Sequence, residues 1–588
     1  MSSPNIFIQS SDSLSTFFNI IRSIIGIRVY VLVFISFLST LLESFAITFI
    51  IPLINKLADS DSNYIDQLDF DNKYLNILIE WLSLLDLNKI LIYLMIIFVL
   101  RSLLLILANS YRIHLKFYLL ANIKKRLIKK YFSLNLQASQ VEDSGYYNNL
   151  ISEQSMMFAK GFDIFLRLVM KVIQSIIFIG LALFISFKLN LLVIFSSLIV
   201  ILLFRQLNNV ISKYSEKYTK EATKLSSLIT QSVQSYEYLK ITNQEKNINN
   251  QSFILIKNIS KYLRNMGILN LSVGFLIEPI ILFILISFFI LGSTIFAMQQ
   301  MIILLSFMFL FRGISHLLGI QQKILGFLTF VGPVNEIHNQ LKNSNDDFIN
   351  NDEDPIEFFK ENIELKNVSF SYNKVKNVLL KNISLKINKN EFIGIVGQSG
   401  SGKSTLAKII SLVLFPSTGN ILIDGKVFNN KSKTHLWRSN IGFLSQKLYL
   451  YKETILKNIT MDFKNNEISI VNIEKINNLC KRLNLYSFIQ TLPDKYNEEV
   501  SEMGGNLSTG QIQRLLIVRE LYRDPGILIF DEPTSALDRD NQKNLISIIN
   551  QLKGEYTIIV ISHDFEILQN ADKLFEIKDS KLSPKNEL

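Results

Sequence analysis

The sequence predicts a chain of two unlike parts: a helical membrane domain of six spans, then an α/β domain built around a phosphate-binding loop. Two observations carry this. Long apolar runs stop near residue 330, and the remainder reads as a soluble α/β domain. Within that remainder, strand-like FIGIVG (Phe392–Gly397) runs into GQSGSGKST (Gly397–Thr405) and then helix-like LAKIISLVL, the context a P-loop requires.

The bulk properties agree. A chain of 588 residues is too long for one core, so at least two domains are expected. It is 49% hydrophobic and only 19% charged, with mean hydropathy +0.27, a membrane-like balance. The net charge of +11 suits either nucleic-acid binding or basic cytoplasmic loops. So much lipid-soluble sequence favours the second, and no nucleic-acid partner is expected. The single cysteine, Cys480, excludes a disulfide framework or a cysteine metal cluster within one chain. The opening MSSPNIFIQSSDS lacks a basic n-region and a small-residue cleavage site, so the first hydrophobic segment is expected to be retained.

A spanning helix needs about 20 apolar residues. Six candidates are present, roughly 28–55, 88–120, 163–188, 190–211, 266–292 and 294–322, and several are long enough to project into water. Lys124, Lys125, Arg126, Lys129 and Lys130 follow the second; Lys213, Lys217, Lys220 and Lys224 follow the fourth. Those connections should be cytoplasmic. The loop after the first span carries Asp59, Asp61, Asp66, Asp69 and Asp71 and should face outward, with both termini inside. Within it, Tyr74–Leu85 suggests an interfacial helix or an extension of the second span. The polar NSNDDFINNDEDP has linker composition. The expected division is a membrane domain at 1–342, a linker at 343–355 and an α/β domain at 356–588.

The chemistry sits in the second part. Gly397, Gly400 and Gly402 let backbone N–H groups curl around phosphate oxygens, and the following helix presents its positive N-terminus. With Gln398, Ser399, Ser401 and Thr405 they form the candidate nucleotide site. Lys403 can reach the β- and γ-phosphates, and the Ser404 hydroxyl can ligate Mg²⁺. Downstream, the buried-strand pattern ILIFDE (Ile527–Glu532) ends in two acids. Asp531 can hold Mg²⁺, and Glu532 is placed to polarise the attacking water.

The P-loop, NLSTGQ (Asn506–Gln511), DEPTSALD and SHD together resemble the nucleotide-binding domain of ABC transporters over about 356–588. The resemblance implies ATP with Mg²⁺ and further roles. Tyr372 looks like the aromatic that stacks on adenine, and Gln446 like the glutamine that contacts Mg²⁺ and senses the membrane part. Ser508, Gly510 and Gln511 look like signature residues that meet ATP held by the other subunit. Asp538 resembles the D-loop aspartate and His563 the switch histidine. Thr509 stands where the family has glycine, so slowed hydrolysis is conceivable and inactivity is not expected. Glu532 and His563 are both present, which implies a hydrolysing site. One P-loop and one signature per chain imply a homodimer, or else a heterodimer with a second half-transporter.

One membrane half fused before one ATPase half resembles the exporter class, a multi-pass protein of the bacterial inner membrane with its ATPase domain in the cytoplasm. Val141–Glu153 and Gln234–Glu245 are candidates for its coupling helices. LLESFAITFIIPLI (Leu41–Ile54) sets Glu43 and Pro52 in an apolar run. A carboxylate there needs compensation. The stretch is similar to the first helix of bacterial lipid-linked oligosaccharide flippases, and Arg101, Glu278 and Arg312 fall where those proteins carry like residues. The expectation is therefore ATP-driven flipping of a lipid-linked saccharide, with export of a peptide, protein or hydrophobic drug as the alternative. Some of these charges should pair, with Arg101, Arg112, Lys116 and Arg312 presenting a basic cavity to an anionic head group.

Overall fold

The computed structural model describes residues 20–50, 85–133, 144–185, 205–290, 300–342, 359–372, 378–428, 434–463, 470–501, 504–535 and 537–585, with Phe17, Leu53 and Ser293. It divides into two compact units, one running to residue 345 and the other from 346.

The first unit is helical: α1 (Arg28–Thr48), α2 (Leu87–Ser133), α3 (Ser144–Asn149), α4 (Ser155–Ile185), α5 (Arg205–Gln234), α6 (Tyr236–Thr242), α7 (Glu245–Ile290), α8 (Gln300–Leu328) and α9 (Val331–Lys342). One π-turn, Leu150–Gln154, joins α3 to α4. At about 1.5 Å rise per residue, the 47 residues of α2 and the 46 of α7 far exceed a hydrocarbon core of roughly 30 Å, so each extends beyond it as helix. Among the described residues four helices are long and apolar enough to span, or five if the pair Ser306–Leu328 and Val331–Leu341, bent by 55°, is one span. Most of the expected fourth span, the acidic loop, the helix at Tyr74–Leu85 and the linker lie outside the described residues.

The buried side of α1 is polar: Ser36, Ser39, Thr40, Glu43 and Ser44 all turn inward. The hydroxyls of Thr40, Ser44 and Thr48 each donate to the carbonyl four residues back, which satisfies them inside an apolar bundle. α4 and α8 approach closely at Gly313, where a Cβ would lie 3.0 Å from Ile179. In the second candidate coupling segment, α6 buries no residue.

The second unit holds two sheets. An antiparallel one, in the order β2–β1–β4–β5, comprises β1 (Asn362–Phe370), β2 (Leu380–Asn388), β4 (Thr418–Ile423) and β5 (Lys426–Val427). The other runs β10–β9–β3–β8–β7–β6, with β3 (Phe392–Gly397), β6 (Ile441–Leu444), β7 (Ile527–Asp531), β8 (Thr557–Ile561), β9 (Lys573–Lys578) and β10 (Lys581–Pro584). Its strands are parallel except β10. FIGIVG, ILIFD and TIIVI are apolar runs without alternation because helices cover both faces of such a sheet. Three helices matter to the site: α10 (Lys403–Ile410), α11 (Thr509–Tyr522) and α12 (Arg539–Leu552).

Candidate nucleotide site and membrane charge cluster

β3, β8 and β7 are parallel neighbours, so the loops leaving their carboxyl ends open on one edge of the sheet. The P-loop follows β3, Glu532 follows β7 and His563 follows β8; Gln446 follows β6, the next strand out. Together they line a cavity of about 560 Å³. Distant stretches of sequence thus meet because of strand order.

The loop is shaped for phosphate. Gly402 has φ +104°, and a Cβ there would sit 2.8 Å from Leu380, so only glycine fits the turn that opens α10. Ser401 Oγ is buried with no hydrogen-bond partner among the described residues, a hydroxyl poised for a phosphate oxygen. The buried Lys403 ammonium donates to the Gly397 and Gln398 carbonyls at 2.8 and 3.0 Å and lies 3.7 Å from Glu532 Oε1. The Ser404 hydroxyl donates to Asp531 at 2.9 Å, which brings two of the three candidate Mg²⁺ ligands to one point. Burial pushes the Asp531 carboxyl above the usual carboxylate range, against the opposing pull of the Ser404 bond and Lys408. Tyr372 is 43% exposed, with its hydroxyl 3.2 Å from Thr405 Oγ1.

Glu532 has φ +52°, a left-handed conformation that costs a non-glycine residue roughly 1–3 kcal/mol. Its own N–H, bonded to the Ile561 carbonyl at 2.8 Å, holds it there. The strain aims the carboxylate into the cavity, where it meets Lys403 on one side and His563 Nδ1, at 2.7 Å, on the other.

The signature residues do not line this cavity. Ser508 caps α11 in a capping box with Gln511: the Ser508 N–H donates to Gln511 Oε1 at 2.8 Å, and the Gln511 N–H to Ser508 Oγ at 3.3 Å. Thr509 is the first residue of that helix, where a β-branch is tolerated and its N–H stays free of intrahelical bonding. Gly510 faces Asn541, whose Oδ1 lies 2.4 Å from where a Cβ would be. Asp538 caps α12 by accepting from Asn541 N–H at 3.2 Å.

In the membrane unit, Glu43 takes Arg101 Nη2 at 2.7 Å and Arg312 Nε at 3.5 Å, joining α1, α2 and α8. Glu278, on α7 beside Pro279, is exposed and makes no ion pair among the described residues. Arg112 departs from expectation. It does not open onto a cavity; it is buried against Asp163, which also binds Arg167 at 3.1 Å. Sequence reading also passed over Asp163, Lys171 and His316. The signal was present: FDIFLRLVMK (Phe162–Lys171) puts an acid and two bases at helical spacing in an apolar run. Lys171 Nζ lies 2.8 Å from His316 Nδ1, within electrostatic reach of Glu43, Arg312 and Lys323. A cavity of about 340 Å³ between α4, α7 and α8 is lined by Lys160, Asp163, Arg167, Asn270, Gln322 and Lys323 with three other residues.

Residues 29–315 match the ABC transporter transmembrane region and residues 380–535 match ABC transporter. The chain is 34% identical over 221 residues to a probable ABC transporter ATP-binding/permease protein of Haemophilus influenzae, 38% of this chain and 39% of that one. It is 38% identical over 221 residues to the alpha-hemolysin translocation ATP-binding protein HlyB of Escherichia coli O157:H7, 38% of this chain and 30% of that one. It is 34% identical over 220 residues to an ATP-dependent lipid A-core flippase of Haemophilus influenzae, 37% of each chain. The matched stretch therefore spans well under half of these relatives. A solved bacterial Atm1-family ABC exporter with ATP bound shares the fold, with TM-score 0.72 at 19% identity over 95% of both chains.

The chain belongs to the ABC transporters. It joins a helical membrane region of that family to an α/β ABC ATPase domain, a domain that binds ATP, in a single half-transporter with the exporter fold.

Proposed function

We propose that the protein is an ATP-driven exporter of the flippase kind, moving a lipid-linked oligosaccharide or related polysaccharide precursor from the cytoplasmic leaflet. The carrying observation is the Glu43–Arg101–Arg312 cluster. One carboxylate faces two guanidiniums in the bundle, so positive charge is left over for a ligand. Lys171 lies close by, and Lys160, Arg167 and Lys323 line a cavity of about 340 Å³. Cations in a low-dielectric bundle suit an anionic group such as a pyrophosphate, which guanidinium recognises through paired hydrogen bonds. One relative, an ATP-dependent lipid A-core flippase, is in keeping with a lipid substrate. Glu278, exposed on α7, completes the proposed substrate residues.

In this reading the P-loop holds the phosphates, Tyr372 stacks on adenine, and Ser404, Gln446 and Asp531 hold Mg²⁺. The ion would neutralise the charge that develops on the transferred phosphoryl oxygens. Glu532 takes the proton of the attacking water, and His563 orients that carboxylate through their 2.7 Å contact. Because Ser508, Gly510 and Gln511 do not line their own P-loop cavity, a second subunit supplies them. We place two copies of this chain in a homodimer with six spans each in the bacterial inner membrane, and keep 1–342, 343–355 and 356–588 as the domain limits.

The test is reconstitution in liposomes carrying a fluorescent pyrophosphate-linked oligosaccharide lipid. ATP-dependent loss of label from one leaflet is expected in the native protein. Arg101→Ala and Arg312→Ala should each slow it at least tenfold at comparable folded yield. Native flipping by both variants would remove the Glu43–Arg101–Arg312 cluster from the mechanism. Deleting the gene tests the substrate: lipid-linked saccharide should accumulate, and unchanged lipids with a lost secreted peptide would favour the alternative.

A further inference from the structure

The first turn of α12 touches two parts of the ATP machinery at once. On one side, Asn541 fills the space beside Gly510 of the signature helix, its Nδ2–H bonded to Asp538 at 2.6 Å. On the other side, the next residue, Gln542, donates from its Nε2 to the Asp564 carboxylate. The Gln542 N–H is anchored to the Asp538 carbonyl at 2.9 Å, so the two side chains share one rigid turn.

Asp564 is the residue after His563, and it organises the backbone on which that histidine sits. Its N–H donates to Ser562 Oγ at 2.9 Å, and its other carboxylate oxygen accepts from the Glu566 N–H at 3.0 Å. His563 itself is 66% exposed and is held laterally by Glu532. With so little packing around the ring, its placement over the cavity depends on the loop that carries it.

We propose that Gln542 is a positioning residue for ATP hydrolysis: by bonding Asp564 it fixes the His563 loop, and through Asn541 in the same turn it ties that loop to the signature helix. The amide is chemically specific here. An uncharged donor makes a charge-assisted bond to Asp564. A carboxylate at the same place would repel it.

The experiment measures ATP hydrolysis by the purified full-length chain in nanodiscs. Gln542→Glu is expected to lower kcat about tenfold while KM for ATP changes less than about twofold, since the P-loop is untouched. Gln542→Glu combined with Asp564→Asn restores one amide facing one carboxylate, with the roles exchanged, and should regain at least half of the lost kcat. Gln542→Ala, which removes the bond without repulsion, should fall between them and serves if Gln542→Glu does not fold. Native kcat in Gln542→Glu or Gln542→Ala overturns the proposal. So does a loss that Asp564→Asn fails to repair, or one that appears in KM alone.

Discussion

Glu532 shows what a single residue can be made to do. Its left-handed backbone and its ion pairs with Lys403 and His563 set one carboxylate between the P-loop and His563. Glu532→Gln should therefore cut hydrolysis about 100-fold or more while filter binding of ATP stays within a few-fold of native. Its neighbour Asp531 carries a pH signature. Burial holds its folded-state pKa above the ordinary one while no metal is bound, so protons compete early on acidification, and Mg²⁺ affinity should fall at a pH above that expected of an exposed acid. The stability sign is opposite. A carboxyl whose pKa is raised on folding destabilises the protein at neutral pH and is relieved by protonation. Asp531→Asn should thus raise the melting temperature while lowering activity; a lower melting temperature would show that the Ser404 bond outweighs burial. Glu43, 7% exposed at its side chain, poses the reverse problem. Glu43→Gln leaves two guanidiniums facing each other and should cost about 3 kcal/mol, read as a lower melting temperature in detergent. Arg101→Gln added to it should recover part of the loss.

The P-loop was legible at the scale of elements, because strand, glycine loop and helix are local and each has its own residue pattern. Gly402→Ala tests the local geometry. With φ +104° and Leu380 2.8 Å from the added methyl, ATP affinity should drop roughly tenfold or more. The turn between β4 and β5 depended on folding instead. Asp424 accepts from the N–H groups of Lys360, Glu361 and Asn362 at 2.8, 2.8 and 3.0 Å and so anchors the start of β1, more than 60 residues away in sequence. Burial alone would raise its pKa, but these donors win and hold it below the ordinary value. Its contribution is therefore present above the ordinary carboxylate range and is lost as pH falls through the lowered value. Asp424→Ala should destabilise the fold by about 2 kcal/mol at neutral pH, with the gap from native narrowing in acid melts. In the membrane unit, long apolar runs announced α2 and α7. The pairing of Arg112 with Asp163 was missed, since which face of a helix meets which neighbour is not written in the helix period.

At the scale of the whole molecule, the proposed homodimer can be tested directly. The signature residues do not line their own P-loop cavity, so in the proposed homodimer Lys403→Ala and Ser508→Arg should each abolish hydrolysis alone. When the two chains are coexpressed and purified as mixed dimers, one intact composite site re-forms and activity should return. Activity that stays absent from mixed dimers would count against a site shared between subunits. The sequence by itself determined the order of the two units and the residue types of the candidate ATP site, because a P-loop, a buried strand ending in two acids and a histidine after a strand are local patterns with local causes. Only the tertiary structure decided that β3, β8 and β7 lie side by side, that Glu532 is strained toward His563, and that Glu43 holds Arg101 and Arg312. Those depend on which strands and helices become neighbours. That choice is set by the packing of residues far apart in the chain, and in the membrane by the need to pair every buried charge.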